Sequence, residues 1–148
     1  MYIDAQNLLS DDQDLSQIAG TYYSTNSLDL TATPRPVGKG EIVKVLFQVT
    51  QTFVGATSTT AVALIESSDE GPPSADIGVL YTTAAIPVAT LVAGFQVVFP
   101  IPLATIAERY LSLRYVIATA TTTAGTATAG IVWDAQTADS DWTAETGR

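Results

Sequence analysis

Any chemistry in this chain would have to be done by carboxylates. None of its 148 residues is histidine or cysteine. Ser–His and Cys–His nucleophile systems, thiolate metal sites and disulfides are therefore excluded. Three carboxylate groupings remain. Asp12 with Asp14, and Asp139 with Asp141, have the one-residue spacing that calcium loops use. Neither is followed by the glycine and the distal bidentate glutamate that complete such a loop, and solvated terminal charges account for both. Asp69-Glu70 sits beside Gly71-Pro72-Pro73, and adjacency in a loop does not make the facing pair of carboxyls that a glycosidase needs. Gly38-Lys39-Gly40 lacks the full spacing of a phosphate-cradling loop. The expectation is a chain with no catalytic residue, no metal and no cofactor.

The charge balance narrows the partners. The formal net charge is -9, with six lysines and arginines against 15 acidic residues. Lys39, Lys44, Arg35, Arg109, Arg114 and Arg148 are scattered, so no basic patch exists to neutralise phosphates, and direct nucleic-acid binding is not expected. Charged residues make up 14% of the chain, against about 25% in an average soluble protein. The surface must then be covered by Thr, Ser, Ala and Gln. Such a surface suits contact with another protein; it is equally the ordinary outer face of a Thr-rich sheet. Arg109 and Arg114 are the notable charges in a long stretch otherwise poor in them. Parity on an alternating strand puts them on opposite faces. One is a candidate for an ion pair with Glu108, Glu66 or Asp134, the other for an interface contact, and plain surface placement fits either.

No membrane or secretory segment is expected. Met1–Ser10 has neither a basic start nor an apolar run. From Ile77 to Ala107 the chain is uncharged, but Gly78, Pro87, Gly94, Pro100 and Pro102 cut it into pieces. Each piece is far shorter than the ~20 residues a helical span requires.

The elements that would position these side chains read as strands. Leu111, Leu113, Tyr115 and Ile117 alternate with Tyr110, Ser112 and Arg114. Ala127, Ala129, Ile131 and Trp133 alternate with Thr126, Thr128 and Asp134. Both have the period of two that marks a half-buried strand. The expectation is a long antiparallel hairpin from Arg109 to Asp134, joined by the polar Thr/Ala/Gly run between its arms. Val43, Val45, Phe47 and Val49 form a third apolar face; Leu46 interrupts its polar side, which implies partial cover there too. Further strands are expected within 21–30, 59–66, 77–83 and 95–99. Pro87 followed by Gly94 brackets one or two helical turns.

The length suits one domain with one core. The division expected is an N-terminal arm at 1–20, a β-sandwich at 21–137 and an acidic tail at 138–148. Within the arm, Ser10-Asp11-Asp12-Gln13 fits a helix capping box. Tyr2, Ile3, Leu8 and Leu9 are candidate anchors on a partner. Tyr22, Tyr23 and Trp142 are further contact candidates, being large aromatics in polar surroundings. Seven or eight short antiparallel strands with almost no helix indicate an all-β jelly roll or β-sandwich.

Several blocks resemble a known family: Met1-Tyr2-Ile3-Asp4-Ala5-Gln6-Asn7-Leu8-Leu9-Ser10, Gly20 to Leu30, Ala84-Ala85-Ile86-Pro87, Arg109 to Tyr115, and Thr123 to Gly130. Together they are similar to the capsid cement, or decoration, proteins of short-tailed bacteriophages. The resemblance implies a jelly-roll fold and a homodimer. It also implies a position on the outer capsid surface of the virion, where the protein staples neighbouring major capsid protein subunits, and it brings no catalytic residues with it. Two other readings stand beside it. One is a carbohydrate- or receptor-binding jelly roll stacking sugars on Tyr22, Tyr23, Tyr81 or Trp142. The other is a carboxylate glycosidase, for which 148 residues with short loops leave little room for a cleft.

Overall fold

The computed structural model describes residues 7–30, 43–71, 78–101 and 106–133. These form ten strands: β1 (Leu8–Asp14), β2 (Gly20–Tyr23), β3 (Leu28–Asp29), β4 (Val43–Gly55), β5 (Thr59–Ser67), β6 (Gly78–Thr82), β7 (Ile86–Pro87), β8 (Gln96–Pro100), β9 (Tyr110–Ala118) and β10 (Thr122–Trp133). The helical element between Pro87 and Gly94 is a single 3₁₀ turn, Val88–Thr90, and Gly94 follows with φ of 92°.

Two antiparallel sheets face each other. One has the order β1-β10-β4-β8. The other has the order β2-β9-β5-β6, with β3 beside β2 along β9 and β7 beside β6 along β5. Apart from β5–β6 and the short steps to β3 and β7, each connection moves from one sheet to the other, which is the double Greek-key winding of a jelly roll. Eight strands carry that winding; β3 and β7 are two-residue continuations of broken edges.

The core lies between the sheets, and the period-two pattern fixes which residues enter it. Val45, Phe47, Val49 and Phe53 of β4 meet Val62 and Leu64 of β5. Leu111, Leu113 and Tyr115 of β9 meet Ala127, Ala129 and Ile131 of β10. The apolar faces expected from alternation are therefore the buried ones. Leu46, on the other face of β4, is also buried, clustered with Val132. Gly125 has φ of 142° and packs directly on the Phe53 ring, so a side chain there would collide with it.

Two expectations are overturned. The first is the hairpin. β9 pairs with β5 and β2, whereas β10 pairs with β1 and β4. Residues 119–121 carry the chain between the sheets, with Thr119 at φ of 75°. The Thr/Ala/Gly run is mostly strand β10 itself. Alternation reports a strand's faces but not its partner, and proximity in sequence suggested the wrong one.

The second concerns the N-terminal arm. Leu8–Asp14 is an edge strand of the sandwich, and Leu9 and Leu15 are fully buried in the core. Ser10 to Gln13 is no helix start. It is a bulge: the register with β10 slips between Ser10 and Gln13, and Asp12 takes φ of 42°. The bulge brings Ser10 and Gln13 together, so the three-residue spacing of the capping box reappears as a side-chain hydrogen bond of 2.7 Å within a strand. Tyr2, Ile3, the Gly38-Lys39-Gly40 turn, Trp142 and the acidic tail lie outside the described residues.

Candidate interaction surface

The polar residues fall into three groups, two of which bind the sandwich together. Across the core, the hydroxyls of Tyr115 (β9) and Ser10 (β1) are 2.8 Å apart. Ser10 donates to Gln13 Oε1, so the Tyr115 hydroxyl is the donor to Ser10. Gln13 Nε2 in turn donates to the Tyr23 carbonyl at 2.8 Å. The chain of bonds links the two sheets. Burial pushes the Tyr115 phenol well above its ordinary value of 10.0, against the lowering effect of the Ser10 hydrogen bond. Its hydroxyl is a fixed donor, not a titrating group.

At the end of the inner face of β5, Glu66 is almost fully buried. Its Oε2 accepts from the backbone N–H of Ala107 at 2.7 Å and of Glu108 at 3.1 Å. Gly78 makes the room: a Cβ there would lie 2.6 Å from Glu66 Oε1. Glu66 thus closes the loop before β9.

The third group is the arginines. Arg109 precedes β9 and forms a two-pronged pair with Asp29 of β3, at 2.9 and 2.7 Å, with its guanidinium 5.0 Å from the Tyr110 ring centroid. The partner is none of the three carboxylates expected. The hydrogen bond to Asp29 holds the guanidinium firmly protonated, and the pair is exposed, so it adds little to stability. Arg114 lies opposite Tyr23 and Ala63 across its two neighbouring strands. Its Nε is buried with no hydrogen-bond partner among the described residues, as is the neighbouring Ser112 hydroxyl.

The remaining contact candidates divide. Leu9 is core. Leu8 and Tyr23 are half-buried, and Tyr22, also half-buried, packs against the core with its hydroxyl donating to the Ile18 carbonyl at 2.8 Å. Among the described candidates, strand pairing sets Tyr23 opposite Arg114. Among the described residues no group of His, Cys, Asp or Glu is arranged to hold a metal ion.

What the residue-by-residue reading missed is a whole face. Across β4, β8 and β10, Lys44 is the sole charged residue. On the outer side of this sheet threonines satisfy one another and nearby backbone. The Thr50 and Thr126 hydroxyls are 2.7 Å apart; Thr52 Oγ1 accepts from Ala93 N–H and Thr128 Oγ1 from Asp12 N–H, each at 3.0 Å. Polar groups already paired lose little when water is removed. The threonine-covered part of the face is fit for burial against a protein.

No curated protein matches the chain. A family model described as Bbp16 matches residues 9–131, from the first strand of the sandwich into the last. On that match, which spans most of its length, the chain belongs to the Bbp16 family.

Proposed function

We propose that this protein is a structural component of a virion, a capsid cement or decoration protein that binds the outer capsid surface and staples neighbouring major capsid protein subunits. The observation that supports it most is the threonine-covered outer side of β4 and β10, two strands in which Lys44 is the sole charged residue. The blocks similar to cement proteins lie largely within the strands that build this sandwich. The action is mechanical: a subunit bridging two shell proteins must be detached before they separate, so its interface adds to theirs. An interface of about 1,600 Å² is adequate, and repetition over a symmetric shell multiplies the effect. A net charge of -9 is compatible with the outside of a shell and opposes contact with packaged nucleic acid.

The test is composition and attachment. Purified particles are expected to contain this chain in fixed ratio to the major capsid protein. Thr50→Glu, at an exposed position on the face, is expected to fold normally and to lower particle occupancy at least tenfold. Absence of the chain from particles, or glycan binding by the isolated protein without any affinity for particles, overturns the reading.

A further inference from the structure

The edge strands of the sandwich differ in charge. On one side lie β1, with Asp11, Asp12 and Asp14, and β3, with the Asp29–Arg109 pair. On the other lie β6 and β8, the last strands of the two sheets, and neither contains a charged residue. The Tyr81 ring of β6 stacks on Phe99 of β8, with centroids 4.8 Å apart and planes 12° apart, so these two edges are neighbours. Three large apolar side chains are exposed here: Val79 at 48%, Tyr81 at 39% and Val98 at 39%.

The four sheet edges also differ in backbone. Unpaired edges invite another strand, and proteins blunt them with charges, bulges and breaks. β1 has two register shifts and three aspartates. The β2/β3 edge is interrupted between Tyr23 and Leu28, and the β6/β7 edge is interrupted and register-shifted. β8 has neither charge, bulge nor break: its five residues pair with β4 without a slip, and only Pro100 at its end blunts it. Val49 N–H donates to the Phe95 carbonyl, and Gly94 N–H donates to Val49. The alternation of an antiparallel ladder then turns Val97 and Phe99 toward β4, and turns the N–H and C=O groups of Gln96 and Val98 outward. Pro100, which has no N–H to offer, falls at an outward position too, where an edge strand tolerates proline. No other strand pairs with β8 among the described residues.

We propose that the β8 edge takes up an extended, uncharged segment of the shell protein by strand addition, with the exposed Val98 and Tyr81 receiving its side chains. This rests on the cement reading above and names the contact within it. The occupant is an extended segment because the unmet groups are backbone donors and acceptors in strand register. It is uncharged because a buried charge would find no counter-ion on β6 or β8. A second copy of this chain fits less well. Antiparallel self-pairing centred on Val98 sets the Gln96 carbonyl of each copy against Pro100 of the other, which has no hydrogen to give. It also brings together two chains of charge -9.

Hydrogen exchange of the free protein and of protein bound to particles, with Val98→Lys and Ile18→Lys as variants, tests this. In the free protein the Gln96 and Val98 amides are expected to exchange quickly and those of Val97 and Phe99 slowly; on particles the first pair should slow by at least tenfold. Val98→Lys is expected to cut occupancy at least tenfold. Ile18→Lys, at a site 69% exposed elsewhere on the molecule, is expected to leave it unchanged. Normal occupancy with no protection at Gln96 and Val98 overturns strand addition while the cement reading stands; no binding of the unmodified chain removes both. Equal losses from the two lysine variants overturn it as a general charge effect. A fall in the free protein's molecular mass on Val98→Lys overturns it in favour of a second copy.

Discussion

Glu66, in the sequence only a candidate ion-pair partner for an arginine, is a carboxylate whose surroundings assign it to architecture. Both N–H groups it accepts belong to the loop that leads into β9. Removing the side chain leaves two backbone donors without their acceptor, and hydrogen bonds to a charged group contribute roughly 1.5–3 kcal/mol each. Glu66→Ala is therefore expected to lower stability by about 3 kcal/mol, and Glu66→Gln, which retains an acceptor oxygen, by about 1 kcal/mol. Urea denaturation distinguishes them; equal losses would mean that volume, and not the accepting oxygen, is what matters. Arg109 teaches the same lesson from the other sign: a conspicuous cation whose partner, Asp29, lies 80 residues earlier and was not foreseen.

At the scale of the element, β1 changes what a truncation should do. Residues 1–20 read as an arm whose loss would leave the sandwich folded. Deleting residues 1–16 instead removes Leu9 and Leu15 from the core and Ser10 from Tyr115, and bares the edge of β10. Large-to-small changes at single buried leucines cost about 2–5 kcal/mol, and whole domains are stable by only about 5–15 kcal/mol. The truncated chain is expected to be unfolded or aggregated, read by loss of its cooperative thermal transition. The faces of β4, β5, β9 and β10 were legible because alternation is local and the core demands it. The partners of β9 and β10 were not, because strand partners in a jelly roll are chosen across the whole chain. The β1 strand was missed because a bulge breaks its alternation at Asp11 and Asp12, leaving a pattern that capping residues also make. The contact face was legible only as a composition, few charges and many threonines; grouping it on one sheet needed the topology.

At the scale of the whole molecule, the absence of histidine and cysteine predicts how stability follows pH. Apart from the α-amino group, no side chain in the chain ordinarily titrates between about pH 6 and 8. The thermal midpoint should be flat there. Asp14 accepts from the hydroxyl and then the N–H of Ser16, which hold its carboxyl below the ordinary 3.8. A lowered carboxyl stabilises the fold above the unfolded value and loses that contribution as pH falls through the folded one, so its small, solvent-screened share disappears below 3.8. Tyr115 acts at the other limb. Held neutral by burial, it favours the fold below the unfolded value of 10.0, and the unfolded chain gains by ionising above it. Calorimetry across pH 3–11 is expected to give a plateau with falls at both ends; a step near neutrality would contradict it. The same scale gives meaning to the uncharged run from Ile77 to Ala107, which a hydropathy scan would mistake for a membrane segment. Folded, it supplies β6 and β8, and no helix among the described residues is long and apolar enough to cross a bilayer.

The pairing of Leu8–Asp14 with Thr126–Gly130 has a consequence for how the protein is made. Within this chain β1 is made well before β10, the strand it pairs with, so the β1-β10-β4-β8 sheet cannot close until β10 has been made. Such long-range pairing slows folding and leaves strand edges unprotected in the meantime. Charges at Asp11, Asp12 and Asp14 disfavour pairing of β1 with other strands during that delay, as charges on edge strands do.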